Sequence, residues 1–253
     1  MKTTILSHGR APVVCLHGFL GDTEDWQNLA RALNSRYSVR ACALPGHGSP
    51  LVADFVDAVR QAQRTIRSLP TPPHLIGYSM GGRIALATAL DPTLALASLT
   101  VISASPGLRS GAERAERLRL DNQRAADLER SGLYVFVRAW YDLPLFASLQ
   151  TRPALLHDLR SRRAVGSPSE RAAALRALSV ARQPSLWGEL PSLKPRALFI
   201  TGDGDKKYRE ILARAAGLSP RARLLTVPDA GHLPHLERPE FVHAAIREFI
   251  EEE

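Results

Sequence analysis

Three side chains able to do nucleophilic or base chemistry stand just after short apolar runs in this 253-residue chain: Ser79, Asp205 and His232. Ser79 lies in Gly77-Tyr78-Ser79-Met80-Gly81, between the apolar pair Leu75-Ile76 and the helix-forming stretch Arg83 to Leu90. Strand, Gly-x-Ser-x-Gly, helix is the context of a nucleophile elbow, a turn so sharp that the residues two before and two after the serine must be small. The turn also puts Ser79 at a helix N-terminus, where free N–H groups favour developing negative charge. A serine hydroxyl is weak alone and needs a histidine to take its proton and a carboxylate to orient that histidine.

Both partners are found on loops after late strands. Ala197 to Ile200 runs into Thr201-Gly202-Asp203-Gly204-Asp205, and Leu224 to Val227 runs into Pro228-Asp229-Ala230-Gly231-His232. His232 is the candidate base. Asp205 is preferred to Asp203 as the acid on the Gly-x-x-Asp spacing, because Asp203 and Asp229 read as turn residues. Two backbone N–H groups would complete an oxyanion hole, one from Met80 and one from Phe19 in His17-Gly18-Phe19. His17 and His47 read as residues that hold their Gly-rich loops, and His235 as a structural residue or a modest substrate contact.

The elements that must position these groups alternate. Pro12–Leu16 and Tyr37–Leu44 read as strands, with a helix capped at Asp22 or Thr23 between them that buries Trp26, Leu29, Ala30 and Leu33. Leu51, Phe55, Val59, Ala62, Ile66 and Leu69 repeat at helical spacing before the elbow, and Leu99–Ile102 is a further strand. A last helix from Pro239 would bury Phe241, Val242, Ala245, Ile246, Phe249 and Ile250. Strands alternating with amphipathic helices imply an α/β fold with a mainly parallel sheet covered on both faces. The alternation stops at Pro106 and resumes near residue 192. Residues 1–105 and 192–253 therefore form the two parts of the core, and 106–191 a helical cap insertion.

Composition bounds the rest. The hydrophobic content of 45% suits a buried core. No apolar run is long enough to span a membrane, and the start is too polar for a signal peptide, so the cytoplasm is expected. Cys15 and Cys42 fall in buried strands and read as free thiols. The formal charge is +8, and all but Lys2, Lys194, Lys206 and Lys207 of the 33 basic residues are arginine. That excess fits either a compositional bias or an anionic ligand. Nucleic-acid binding ranks last, since no basic run is interleaved with stacking aromatics.

Taken together, the motifs resemble the α/β-hydrolase fold and, within it, the 2-succinyl-6-hydroxy-2,4-cyclohexadiene-1-carboxylate synthases of menaquinone biosynthesis. The similarity runs nearly end to end. It is carried by His17-Gly18-Phe19-Leu20-Gly21-Asp22 with Trp26, Leu44-Pro45-Gly46-His47-Gly48, the elbow with Arg83, and Arg114-Ala115-Glu116-Arg117. Trp140-Tyr141 with Pro144, Leu159-Arg160, Gly202-x-x-Asp205-x-Lys207 and Gly231-His232-x-x-His235 complete it. The resemblance implies a lyase that eliminates pyruvate from an enolpyruvyl cyclohexene with three carboxylates, using the triad as a base and needing no metal or organic cofactor. It further implies that Arg83, Arg117 and Arg160 contact substrate carboxylates and that Tyr78, Trp140 and Tyr141 line the pocket. Without it, Arg117 reads as a surface ion pair with Glu113, four residues earlier. Ile102 departs from the family, which often has an acidic residue there. A carboxylesterase or carbon–carbon bond hydrolase would share the triad, whereas a non-catalytic binding protein would typically lack one of its members.

Overall fold

The computed structural model describes residues 1–33 and 35–252. Seven strands form one sheet: β1 (Thr3–Ile5), β2 (Ala11–Leu16), β3 (Tyr37–Cys42), β4 (His74–Tyr78), β5 (Ser98–Ile102), β6 (Ala197–Gly202) and β7 (Ala222–Val227). Their order across the sheet is β1-β3-β2-β4-β5-β6-β7, and only the edge strand β1 runs antiparallel to its neighbour. Side chains alternate across a strand, so each strand feeds two cores. Val13, Cys15, Ile76, Tyr78, Leu198 and Ile200 enter one core. Val14, Leu16, Leu75, Ala197 and Phe199 enter the other.

Helices close both faces. A 3₁₀ turn (Thr23–Trp26) capped by the Asp22 side chain leads into α1 (Gln27–Ala32). That turn and α1 bury Trp26, Leu29 and Ala30 in the first core. The other face is covered by α2 (Phe55–Arg67) and α3 (Met80–Ala89), which bury Phe55, Ala58, Ile84 and Leu86. Helix α2 begins later than its apolar spacing suggests, because Asp54 accepts the Asp57 N–H and caps it. Leu51, expected on its buried stripe, therefore lies ahead of the helix and is exposed.

The segment between β5 and β6 contains no strand. Helix α4 (Gly111–Tyr141) opens with a capping box between Ser110 and Glu113 and is broken at Gly132, where φ is +75°. A 3₁₀ stretch (Pro144–Thr151) follows, then α5 (Pro153–Arg163) and α6 (Pro168–Ala177). The alternation resumes with α7 (Lys206–Leu218), the single turn α8 (Pro234–Glu237) and α9 (Pro239–Glu251). Helix α9 buries Val242, Ile246, Phe249 and Ile250 as its spacing requires. Phe241 was expected on that stripe, but it sits one position off and is exposed. Cys15 and Cys42 are buried free thiols. Among the described residues, no helix is long and apolar enough to cross a membrane.

The close approach of α3 to β2 fixes the centre of the molecule. A Cβ placed on Gly81 would lie 2.3 Å from the Leu16 carbonyl oxygen and 2.4 Å from that of His17. Both obstacles are backbone, so the helix would have to move. Gly81→Ala is therefore expected to lower unfolding free energy by about 1–3 kcal/mol, measured by urea titration.

Candidate active site

Parallel strands deliver their following loops to one edge of the sheet, where open α/β sheets hold their sites. Among the described residues, four non-glycine positions have a left-handed φ: Leu20, Ser79, Ser103 and Asp229. Each lies in the loop or turn that follows β2, β4, β5 or β7. Backbone strain of this kind persists only where the surroundings over-determine it. At Ser79, φ is +48° and ψ −108°, with the N–H donating to the Ile102 carbonyl at 2.8 Å.

Ser79, Asp205 and His232 come together there. The His232 Nδ1–H donates to Asp205 Oδ2 at 2.6 Å, which leaves Nε2 as the acceptor facing Ser79 Oγ at 3.3 Å. Both the imidazole and the carboxylate are almost wholly shielded from solvent. Three aromatic rings surround His232: Tyr208 at 4.6 Å, Tyr78 at 5.6 Å and Phe146 at 5.8 Å between centroids. Asp203 does different work. Its carboxylate accepts the Asp229 and Ala230 N–H groups and so ties the histidine loop to the aspartate loop. Asp229 pairs with Arg238 on the surface.

The first N–H of a helix has no partner within the helix, and that of Met80 opens α3 beside Ser79. Facing it is the loop after β2. There the Gly18 carbonyl accepts from His17 Nδ1–H at 2.7 Å and from the Gly21 N–H at 3.0 Å. Gly18 C=O and Phe19 N–H are opposite ends of one planar peptide group, so fixing the first directs the second. His17 Nε2 accepts the Leu44 N–H and His47 Nε2 accepts the Leu20 N–H, each at 3.0 Å. Both histidines act as buried, neutral loop ties. Burial lowers the pKa of His17 to about 4, and that of His47 also falls well below the usual value.

A cavity of about 520 Å³ opens over Ser79 between the sheet edge and the helical insertion. Phe19, Tyr78, Met80, Trp140 and Tyr141 line it, as do Arg83 and Arg117. Arg83 is buried, yet its guanidinium meets only neutral acceptors, Gln183 Oε1 at 3.1 Å and the Leu178 carbonyl at 2.6 Å. Burial, then the nearby Arg117 charge, lowers its pKa to about 10, so it remains cationic at neutral pH. Arg117 does not meet Glu113, which is engaged in the capping box. Its Nε instead donates to both Asp121 oxygens at 2.8 Å.

Arg160 is displaced from the expected pocket. Its position on α5 leaves it half-buried outside that cavity, where it pairs with Asp142 and borders a second cavity of about 470 Å³. The cavity holds cations to which the motifs gave no binding role. Arg124 stacks over Trp140 and lies 3.6 Å from Asp121, while Lys206 and Lys207 line the wall without an ion pair among the described residues. Arg117, Asp121 and Arg124 share one helix face by spacing, which was the available signal. Asp121 anchors both arginines and also accepts from Ser179 Oγ at 2.7 Å. His235 is buried against Trp26 and Tyr78, and burial lowers its pKa to about 3.

These neutral histidines carry a consequence for acid stability. A group with a folded pKa near 3 or 4 and an ordinary value of 6.5 lets the unfolded chain hold more protons between those limits. The stabilisation is complete above about pH 6.5 and is lost as pH falls through that value toward 4. Urea titrations across this window should show that decline, and His235→Phe should reduce its slope.

Comparison with known proteins supports the fold and the family. A model described as the alpha/beta hydrolase family matches residues 13–245. A 2-succinyl-6-hydroxy-2,4-cyclohexadiene-1-carboxylate synthase of Escherichia coli O7:K1 is 33% identical over 94% of this chain and 93% of that protein. The chloroplast protein PHYLLO of Arabidopsis thaliana is 31% identical over 93% of this chain, which spans 15% of that longer protein. Among solved structures, MenH from S. aureus superimposes with a TM-score of 0.93 at 30% identity, covering 98% of this chain and 97% of that one.

Proposed function

The chain belongs to the alpha/beta hydrolase family and, within it, to the 2-succinyl-6-hydroxy-2,4-cyclohexadiene-1-carboxylate synthases, and we propose that its triad works as a proton-transfer base and forms no acyl-enzyme. The protein is a lyase of menaquinone biosynthesis that releases pyruvate from 2-succinyl-5-enolpyruvyl-6-hydroxy-3-cyclohexene-1-carboxylate. Substrate and product together define the electron flow. A proton leaves C2, and its electron pair enters conjugation with the succinyl ketone. The enolate then returns that pair through C3 and C4, and the C5–O bond breaks. The ring exchanges its C3=C4 double bond for C2=C3 and C4=C5, and the departing enolpyruvate takes up a proton to become pyruvate.

Each step has a group suited to it. Ser79 Oγ accepts the C2 proton as its own passes to His232 Nε2, and Asp205 stabilises the imidazolium that results. The enolate oxygen is received by the Phe19 and Met80 N–H groups, where charge develops in a dry site. His232 then returns the proton to the leaving group. Tyr78, Trp140 and Tyr141 enclose the ring.

One observation carries the substrate reading: a buried guanidinium, that of Arg83, faces the cavity with only neutral partners. A desolvated charge without a counter-ion is costly, and an anionic ligand offsets that cost. Arg117, Arg124, Lys206 and Lys207 extend the same field around the cavity. A tricarboxylate satisfies this arrangement, while a simple neutral ester leaves it uncompensated.

Pyruvate release, followed by a coupled reductase, tests the reaction. Ser79→Ala is expected to lower kcat by about 10²–10⁴-fold, the range of a lost general base. Wild-type protein that hydrolyses an aryl ester but releases no pyruvate would refute the lyase assignment. The carboxylate roles separate by position. Arg83→Gln and Arg117→Ala should each raise KM by about 10- to 100-fold, as for a lost charge-assisted hydrogen bond. Arg160→Ala, outside the cavity, should leave KM at its wild-type value in the same assay.

A further inference from the structure

One ion pair joins the helical insertion to the core without contact with solvent. Arg163, the last residue of α5, donates from Nη2 to Asp25 Oδ1 at 2.9 Å and Oδ2 at 2.8 Å. Its other terminal nitrogen, Nη1, donates to the Leu20 carbonyl oxygen at 2.8 Å. Asp25 belongs to the 3₁₀ turn that follows the Phe19 loop. Both side chains are almost fully buried, at 2% and 1% exposure, so neither exchanges its partner for water. Burial would raise the Asp25 pKa, yet the Arg163 charge and hydrogen bonds hold it below the ordinary carboxylate value.

The Leu20 contact has the larger functional meaning. Leu20 holds a left-handed φ of +63°, and its N–H is taken by His47 while its carbonyl is taken by Arg163. Together with His17 on the Gly18 carbonyl, every fixed point of residues 18–20 leaves the Phe19 N–H as the donor available to the cavity. His17 and His47 come from the core; Arg163 comes from the insertion. We propose that Arg163 and Asp25 are positioning residues, a buried strut through which the seating of α5 on the core sets the Phe19 N–H. This rests on the assignment of Phe19 to the oxyanion hole. Arg162, half-exposed, reinforces the strut from outside through Asp22 and Asp25.

Two variants separate positioning from mere cohesion. Arg163→Lys retains a charge opposite Asp25 but lacks the fork that reaches Asp25 and Leu20 at once. The double variant Arg163→Met with Asp25→Leu removes both charges together, and such replacements of a buried pair keep or raise stability. Arg163 also borders the cavity, so the deciding quantity is kcat: in both variants it is expected to fall by about 10- to 100-fold per folded molecule, with a melting temperature near wild type in the double variant. The Phe19 amide resonance in a ¹H–¹⁵N spectrum should move in both. If the Phe19 amide keeps its wild-type resonance in either variant, the strut is only a structural clasp and the proposal fails. A wild-type kcat per folded molecule would overturn it equally. Should the wild-type protein release no pyruvate, the lyase assignment falls, and the Phe19 resonance alone decides the strut.

Discussion

The molecule is organised around one close approach, that of the elbow helix to the first parallel strand of the core. Gly81 lies against the Leu16 and His17 carbonyls and donates its own N–H to His17 at 3.0 Å. A side chain at that point would separate α3 from β2. Because Ser79 begins α3 and Phe19 follows β2, the same contact sets the distance between the Ser79 hydroxyl and the Phe19 N–H proposed as the oxyanion donor. The strained φ at Ser79 is held by this contact from one side and by the Ile102 carbonyl from the other. The geometry of the proposed site therefore depends on backbone packing before any of its side chains is considered.

Charge is distributed with similar economy. On the surface, many arginines meet carboxylates one helical turn away, as Arg60 meets Asp57 and Arg119 meets Glu116. Such exposed pairs contribute little to stability and answer to the arginine-rich composition. Inside the cavity the pattern reverses. Asp121 serves two guanidiniums and a serine hydroxyl, and Arg83 forms no ion pair with a carboxylate among the described residues. Compositional bias thus accounts for the surface pairs, and the proposed anion recognition for the cavity.

The parts of the site on loops after strands were legible because their punctuation is local. Glycines mark the elbow and the two late loops, and the choice of Asp205 over Asp203 followed from spacing alone. Asp203 bonds the neighbouring loop where a turn residue was expected. The insertion was less legible. Arg160, Arg162 and Arg163 lie within one turn of α5, and 100° of rotation per residue decides which of them meets water. The tilt of α5 against the core settles that choice, and no local pattern encodes it. Arg160 therefore lies outside the cavity over Ser79, half-buried beside Asp142, while Arg163 reaches the buried Asp25. Helix ends failed for a related reason. Asp54 starts α2 after Leu51, and Phe241 falls beside the stripe that α9 buries.

The Arg163–Asp25 pair also bears on how such a fold diversifies. An insertion between two strands is often regarded as a module, free to be exchanged while the catalytic base plate stays constant. Here the insertion contributes a hydrogen bond to the loop that carries the proposed oxyanion donor, and it neutralises a carboxylate sealed inside the plate. A graft of a foreign insertion that lacked the arginine would leave Asp25 as an orphan charge in the interior. Exchange of the two parts is then constrained to pairs that preserve or jointly delete the partners, so the lineage of the insertion and that of the core are bound to travel together.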